Sequence, residues 1–298
     1  MNEVFLVAGK VGFIGVGAMG SAIASRLVKS QELLVNDRRE EAAAELVSQG
    51  ATFVTAEEIA RQCKRVFISL PGPAQVTELL LGTEGIAKHF TPGTVVIDTT
   101  TGTPMADSGI VDALTERGVD FVDAPIGGGV RRARAGTATL MVGGSETAFA
   151  KVSELLLHVT SDVYHVGPVG TGHAMKLVNN LINSCNRFAA LEAIRLGEAC
   201  GIDQNTVVDI LNKSTGRNYA TEYTFPQLLS GDSYKPQGFT LELMRKDIRL
   251  ANELAESLEH STPIGHLVER FTEEAIERFG RDADQSQLMA EWYLNRSE

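Results

Sequence analysis

Four side chains that can bind or relay protons recur at helical spacing. Lys176, Asn180, Asn183 and Arg187 stand at i, i+4, i+7 and i+11, one stripe of an α-helix. An amine and a carboxamide one turn apart can address two oxygens of one small substrate. A partly desolvated lysine has a lowered pKa and can take up and return a proton near neutral pH. A merely solvated helix side would show the same spacing, so the stripe alone leaves both readings open.

The stripe needs a rod to sit on. From Ala174 to Cys200 there is no proline, and Gly197 is the one glycine before Gly201, so the pattern predicts a single long helix stopped at Gly201. Leu177, Val178, Leu181, Ile182, Phe188, Ala189, Leu191 and Ile194 occupy several of its faces. A helix apolar on that many sides is expected to be mostly buried.

The chain around it has 298 residues and 43% hydrophobic content, enough for two domains with cores of their own. Its 27 Lys+Arg against 38 Asp+Glu leave a formal charge of −11, which argues against a nucleic-acid partner and against an anionic membrane surface. Cys63, Cys185 and Cys200 are odd in number, far apart and in no zinc spacing, and the six histidines form no ligand cluster. No metal is implied, and a reduced, cytoplasmic setting is the economical reading. The first ten residues carry an apolar run without a basic start or a cleavage site and read as an extension, and no stretch reaches transmembrane length.

Val11-Gly12-Phe13-Ile14 is a short apolar strand, and Gly15-Val16-Gly17-Ala18-Met19-Gly20 follows it and opens a helix from Ser21 to Lys29. Strand, glycine turn and helix are the context a dinucleotide-binding turn needs. Gly15 permits the tight turn, Gly17 lets backbone amides approach a pyrophosphate, and Gly20 lets helix and strand pack closely. The next strand, Leu33-Leu34-Val35, ends at Asn36-Asp37-Arg38-Arg39. An acid such as Asp37 normally takes the adenosine ribose hydroxyls and favours NAD. Arg38 and Arg39 pull toward a 2′-phosphate, so NAD is the expectation and NADP stays open.

Strand and helix keep alternating. Residues 40–49 read as helix, 65–70 as a strand broken at Pro71-Gly72-Pro73, 75–81 as helix, 94–98 as a strand ending in Thr99-Thr100-Thr101, and 119–124 as the next strand. Such repeats build a doubly wound parallel sheet of the Rossmann type, with ligands beyond the carboxyl ends of the strands. Topology therefore puts Leu70-Pro71, Thr101 and Ala124-Pro125 near a cofactor. Gly127-Gly128-Gly129 is too glycine-rich for a strand interior and can expose amides to wrap a carboxylate, or can form a hinge or bulge. Arg131, Arg132 and Arg134 follow, as a substrate-facing charge or a solvated face, and residues 137–144 read as a hairpin or edge strand.

Beyond Gly201 the reading is helical. Asp203 caps a helix through Leu211, 213–218 is a loop, 221–238 is mixed, Phe239 starts a long helix carrying Lys246, Thr262-Pro263-Ile264 opens a helix over 267–279, and 286–293 ends the chain. The expected organisation is a dinucleotide-binding domain over 10–168 and an all-helical substrate and oligomerisation domain over 169–298, joined by the long helix.

Assembled, these pieces resemble the β-hydroxyacid dehydrogenase family, which includes 3-hydroxyisobutyrate dehydrogenases and tartronate semialdehyde reductases. Four motifs match in order from Val11 to about Tyr293: Gly12 to Gly20, the Asp-Ala-Pro…Gly-Gly loop from Asp123 to Gly129 with Ala-Gly-Thr at Ala135 to Thr137, Gly170 to Asn180, and Lys-Asp-Ile-Arg-Leu-Ala at Lys246 to Ala251. The resemblance implies Lys176 as the acid/base of a reversible hydride transfer between NAD or NADP and a small β-hydroxy acid. It implies Asn180 as substrate holder, Gly128 and Gly129 as carboxylate seat, and Leu70, Pro71, Thr101 and Lys246 as cofactor contacts. A homodimer or homotetramer built through the C-terminal helices is implied as well. The helical half is expected to resemble that of 6-phosphogluconate dehydrogenases. Gly127 stands where the family usually has serine. Losing one hydrogen bond to a charged group costs on the order of 1.5–3 kcal/mol, which Arg131 or Arg132 can offset. Imine reductases and reductive aminases share the scaffold but usually lack a lysine at the position of Lys176. A non-catalytic dinucleotide-binding module is the third reading.

Overall fold

The computed structural model describes residues 9–229 and 236–288, of which 105–108 are described by backbone alone. The chain divides into two compact units, Met1–Lys176 and Leu177–Glu298. Expectations for the first eight residues, for 230–235 and for the chain past 288 fall outside the described residues.

The first unit is a sheet flanked by helices. Its strands are β1 (Val11–Ile14), β2 (Leu33–Asn36), β3 (Thr52–Phe53), β4 (Arg65–Ile68), β5 (Val95–Asp98), β6 (Asp120–Asp123), β7 (Ile126–Gly127), β8 (Thr139–Gly143) and β9 (Asp162–Gly167). The intervening helices are α1 (Ala18–Leu27), α2 (Ala44–Ser48), α3 (Ala56–Gln62), α4 (Pro73–Leu81), α5 (Pro104–Thr115), α6 (Gly129–Ala135) and α7 (Glu146–Val159). Residues 40–43 are a tighter 3₁₀ turn leading into α2. Strand order is β3-β2-β1-β4-β5-β6-β8-β7, with β9 on the free side of β8, and every pairing from β3 to β6 is parallel. Central strands β1, β4 and β5 read as unbroken apolar runs because helices cover both faces, and Phe13, Val66, Phe67, Val96 and Ile97 have no exposed surface.

At the far edge the sheet turns mixed: β8 runs antiparallel to β6 and β7. Residues 137–144, expected as a hairpin or edge strand, thus supply an interior strand that pairs antiparallel with β7 and is covered by β9 along its other side. That partner is nearly invisible in the sequence. Tyr164, His165 and Val166 of β9 all face solvent, so no apolar run marks it.

One long helix, α8 (Thr171–Ala199), leaves the first unit and continues through the second. At about 1.5 Å per residue it spans about 43 Å. The second unit adds α9 (Gln204–Asn212), α10 (Phe225–Leu229) behind a π-turn over 220–224, α11 (Leu241–Ser257) and α12 (Pro263–Phe279). Its core comprises Phe188, Leu191, Ile194, Val208, Phe225, Met244, Ile248 and Val268. Asp203 accepts hydrogen bonds from the amides of Asn205 and Thr206 and caps α9 as its position predicts. α11 begins two residues later than expected, behind a Thr240 cap, and α12 begins earlier, at Pro263, a residue suited to a first helical turn.

The expectation of a mostly buried α8 needs correction. Leu177, Phe188, Leu191 and Ile194 are buried, but Val178 and Ile182 are each 55% exposed and Leu196 67%. Apolar side chains on several faces gave no means of telling which face the chain itself covers.

Candidate active site

The turn after β1 is built by steric necessity. Gly15 has φ +89°, and a Cβ there would collide with the Ser69 carbonyl and with the Leu70 side chain. A Cβ on Gly20 would collide with the Gly15 carbonyl. Gly17 is different: a Cβ there meets nothing within 4 Å, and no side chain caps α1 above it. Val16, Gly17, Ala18 and Met19 thus form an open cradle at a helix N-terminus, with room for an anion such as a pyrophosphate over the first-turn amides that no intrahelical carbonyl takes. The residues present fit a nicotinamide dinucleotide.

The neighbouring strand ends converge on the same place. Asp37 at the end of β2 accepts a hydrogen bond from the Val16 amide (2.9 Å) through Oδ2 and from the Arg39 amide (3.0 Å) through Oδ1. The carboxylate is tied to the glycine turn, while the Arg38 side chain is exposed. Beyond β4, the Leu70 amide donates to the Thr100 hydroxyl at 3.1 Å, joining Leu70 and Pro71 to the Thr99–Thr101 turn after β5. Gly15–Gly20, Asp37, Leu70, Pro71 and Thr101 therefore lie together along the carboxyl ends of adjacent parallel strands.

At β6 the chain makes its tightest junction. Asp123 is fully buried, and its two carboxylate oxygens accept hydrogen bonds from the amides of Gly170 and His173, each at 2.7 Å. These amides belong to the first turn of α8, where a helix leaves donors unsatisfied and favours negative charge. A Cβ on Gly172 or on Gly143 would strike Asp123. His173 is buried against Gly102, with Nε2 3.9 Å from Asp98 Oδ2. Lys176, half-buried, comes one turn after this anchorage.

The glycine cluster is partly ordinary structure. Ile126 and Gly127 pair with β8, so Gly127 is strand after all. Gly128 has φ +107° and precedes α6 with no side-chain cap, leaving the Gly128 and Gly129 amides without a side-chain partner at that cap. The arginines that follow have structural employment: Arg132 donates through Nε (2.9 Å) and Nη2 (2.6 Å) to the Thr137 carbonyl, and Arg134 pairs with Glu45 at 2.6 Å. Arg132 is thus held by its own loop rather than turned toward a substrate, whereas Arg131 is exposed.

In the helical unit, Asn180 of α8 donates from Nδ2 to Oδ2 of Asp247 at 2.7 Å, and Lys246 Nζ lies 3.3 Å from Asp247 Oδ1. Buried Asp247 of α11 joins two residues that the sequence singles out separately. Neither Asp247 nor Asp123 stood out as a positioning group. The available signal was an acid adjoining an apolar run, which marks a buried carboxylate.

Residues 10–167 match the family model described as the NAD binding domain of 6-phosphogluconate dehydrogenase, and residues 170–292 match the one described as NAD-binding of NADP-dependent 3-hydroxyisobutyrate dehydrogenase. The chain is 38% identical over 247 residues to 2-(hydroxymethyl)glutarate dehydrogenase of Eubacterium barkeri, covering 82% of this chain and 81% of that protein. It is 36% identical to the NAD-dependent L-serine dehydrogenase of Pseudomonas aeruginosa, covering 87% of this chain and 89% of that protein. The crystal structure of a 3-hydroxyisobutyrate dehydrogenase from Salmonella typhimurium superposes with a TM-score of 0.82 at 28% identity, covering 94% of this chain and 99% of that one.

Gly17→Ala is expected to lower unfolding stability by less than about 1 kcal/mol in urea, yet to weaken dinucleotide binding tenfold or more by titration. Gly20→Ala, which must displace backbone, is expected to lose about 1–3 kcal/mol. Asp123→Asn replaces one of two charged acceptors with a donor facing an amide, and a loss of at least about 3 kcal/mol in the same unfolding assay is expected.

Proposed function

The chain belongs to the β-hydroxyacid dehydrogenase family, an oxidoreductase that uses a nicotinamide dinucleotide, and from that premise we propose that it oxidises a small β-hydroxy acid reversibly with Lys176 as acid/base. The substrates in the names of three relatives (2-(hydroxymethyl)glutarate, L-serine and 3-hydroxyisobutyrate) share one group, a primary alcohol one carbon removed from the carbon that bears a carboxylate. The reading takes that group as the reacting end of this protein's substrate.

The observation that carries it is the anchorage of α8 by Asp123. It holds the helix start at the carboxyl end of β6, one turn before Lys176, in the unit that carries the glycine cradle. The bound dinucleotide supplies the hydride acceptor, or the donor in the reverse direction. Lys176 removes the hydroxyl proton as the carbonyl forms, and returns it to the alkoxide oxygen on reduction. The Gly128 and Gly129 amides seat the carboxylate with Gly127 beside them, Asn180 holds the substrate, and Lys246, Leu70, Pro71 and Thr101 contact the cofactor. Asp247 is the residue that orients Asn180.

NAD is the preferred cofactor in this reading. Asp37 is held beside the glycine turn as an acceptor for ribose hydroxyls, and it would repel a 2′-phosphate. Two copies or four associate through α8, whose open stripe includes Val178, Ile182, Ala189 and Leu196. A reducing compartment, the cytoplasm, suits the three free thiols. Among the described residues no helix is long and apolar enough to cross a membrane.

Lys176→Ala is expected to lower kcat about 10²–10⁴-fold while NAD binding, read by calorimetry, persists. Retained turnover would overturn the assignment, and a higher kcat/KM with NADP than with NAD would overturn the cofactor choice. Ile182→Glu is expected to shift the particle mass by light scattering toward one chain.

A further inference from the structure

The helical unit contains a cation that the reaction described above does not use. Arg187 of α8 is only 6% exposed, and its Nε is buried without a hydrogen-bond partner among the described residues. A guanidinium in that position normally faces a carboxylate, since an uncompensated buried charge is strongly unfavourable. The charged or titratable groups facing it are Tyr219 and Asp284. Asp284 is already engaged, accepting hydrogen bonds from the amides of Gly238 (2.7 Å), Phe239 (3.1 Å) and Ser286 (3.0 Å). Among the described residues no carboxylate forms an ion pair with Arg187. Burial draws the Arg187 pKa down to about 10, which leaves it cationic at neutral pH.

Its place on the helix says what the missing anion belongs to. At 100° per residue, Asn180, Asn183 and Arg187 fall within an arc of about 60° on α8. Asn183, one turn before Arg187, also has a buried Oδ1 without a partner among the described residues. Its carboxamide can turn its N–H groups toward an anion. Arg187 lies about 10 Å along the axis from Asn180. Helical side chains lean toward the N-terminus, so the Arg187 side chain shortens that distance.

We propose that Arg187, assisted by Asn183, seats a second carboxylate of the substrate, so that the preferred substrate is a β-hydroxy acid whose side chain ends in another acid group. This rests on the reading of Asn180 as the residue that holds the substrate. One guanidinium matches one unit of negative charge in bidentate geometry, which favours a carboxylate over a phosphate. The acidic protein thus takes its counter-charge from the ligand.

The test compares 2-(hydroxymethyl)glutarate with 3-hydroxyisobutyrate, which share a reacting end and differ by one methylene and the distal carboxylate. Wild type is expected to prefer the diacid, and Arg187→Met to lower the diacid-to-monoacid ratio of kcat/KM about 30- to 100-fold, mainly through KM. Arg187→Lys should recover part of the ratio. Calorimetric titration of wild type with unreactive glutarate and butyrate gives a readout without turnover, and glutarate is expected to bind more tightly. Equal use of both acids by wild type, an unchanged ratio in Arg187→Met, or glutarate binding no better than butyrate would each overturn the proposal. If neither acid is oxidised while glutarate still binds through Arg187, the dehydrogenase reading fails and the anion seat stands. If Arg187→Met does not fold, the Arg187→Lys ratio and the glutarate titration decide.

Discussion

One buried carboxylate meeting two backbone amides is the contact on which the site depends. Asp123 closes the sheet strand β6 and opens helix α8 at once, with Gly170 and His173 as donors. Each partner would be costly to bury alone: a helix start with orphan N–H groups, and a carboxylate with no water. Together they satisfy each other, and the charge lies at the helix end where the backbone dipole favours it. The match is tight enough that Gly172 and Gly143 have no room for a side chain. A lysine one turn along such a helix inherits its position from the sheet. That is the rigidity the proposed proton transfer would require, since a small displacement of an acid/base costs much of its rate.

The glycine turn after β1 applies the same principle by omission. Gly15 and Gly20 are glycines because neighbouring backbone and Leu70 fill the space a side chain would take. Gly17 borders open space. Two glycines thus serve the fold, and the third leaves room for an approaching group. Asp37 completes the arrangement by accepting from the Val16 amide, which couples the end of β2 to the turn. Sequence spacing alone cannot separate these roles, because packing and ligand approach call for the same residue type.

What could be read from the residue order follows this division. Central strands such as Val66-Phe67-Ile68 are buried on both faces and announce themselves as apolar runs. The long helix is equally plain, because nothing in 174–200 breaks it. Edge strand β9 escaped because only Val163 packs against the core while Tyr164, His165 and Val166 face water, which leaves no buried apolar run. The open stripe on α8 escaped for the opposite reason: Val178 and Ile182 look like core residues, and only the packing of the chain shows them uncovered. Arg131, Arg132 and Arg134 looked like one cluster of positive charge. On α6, Arg132 turns to its own loop and Arg134 to Glu45, 89 residues away in the chain. Asp247 shows the same limit, since its tie to Asn180 joins residues 67 apart.

These local arrangements explain how a protein of net charge −11 can be built to receive anions. Long-range repulsion between exposed charges is screened within about 8–10 Å at physiological ionic strength. Inside that distance, oriented amides and single side chains decide. The cradle over Gly17 and the loop at Gly128 and Gly129 have no side-chain cap, and backbone N–H groups exposed in this way can receive negative charge without adding net positive charge to the fold. Amide dipoles need no counter-ion when the site is empty, unlike a buried lysine or arginine, which must find a partner or shift its pKa. Arg187 is the departure from that economy. It is buried in the helical unit, faced by Tyr219 and by an Asp284 already engaged by backbone amides, and it is there that we propose a ligand's charge is received.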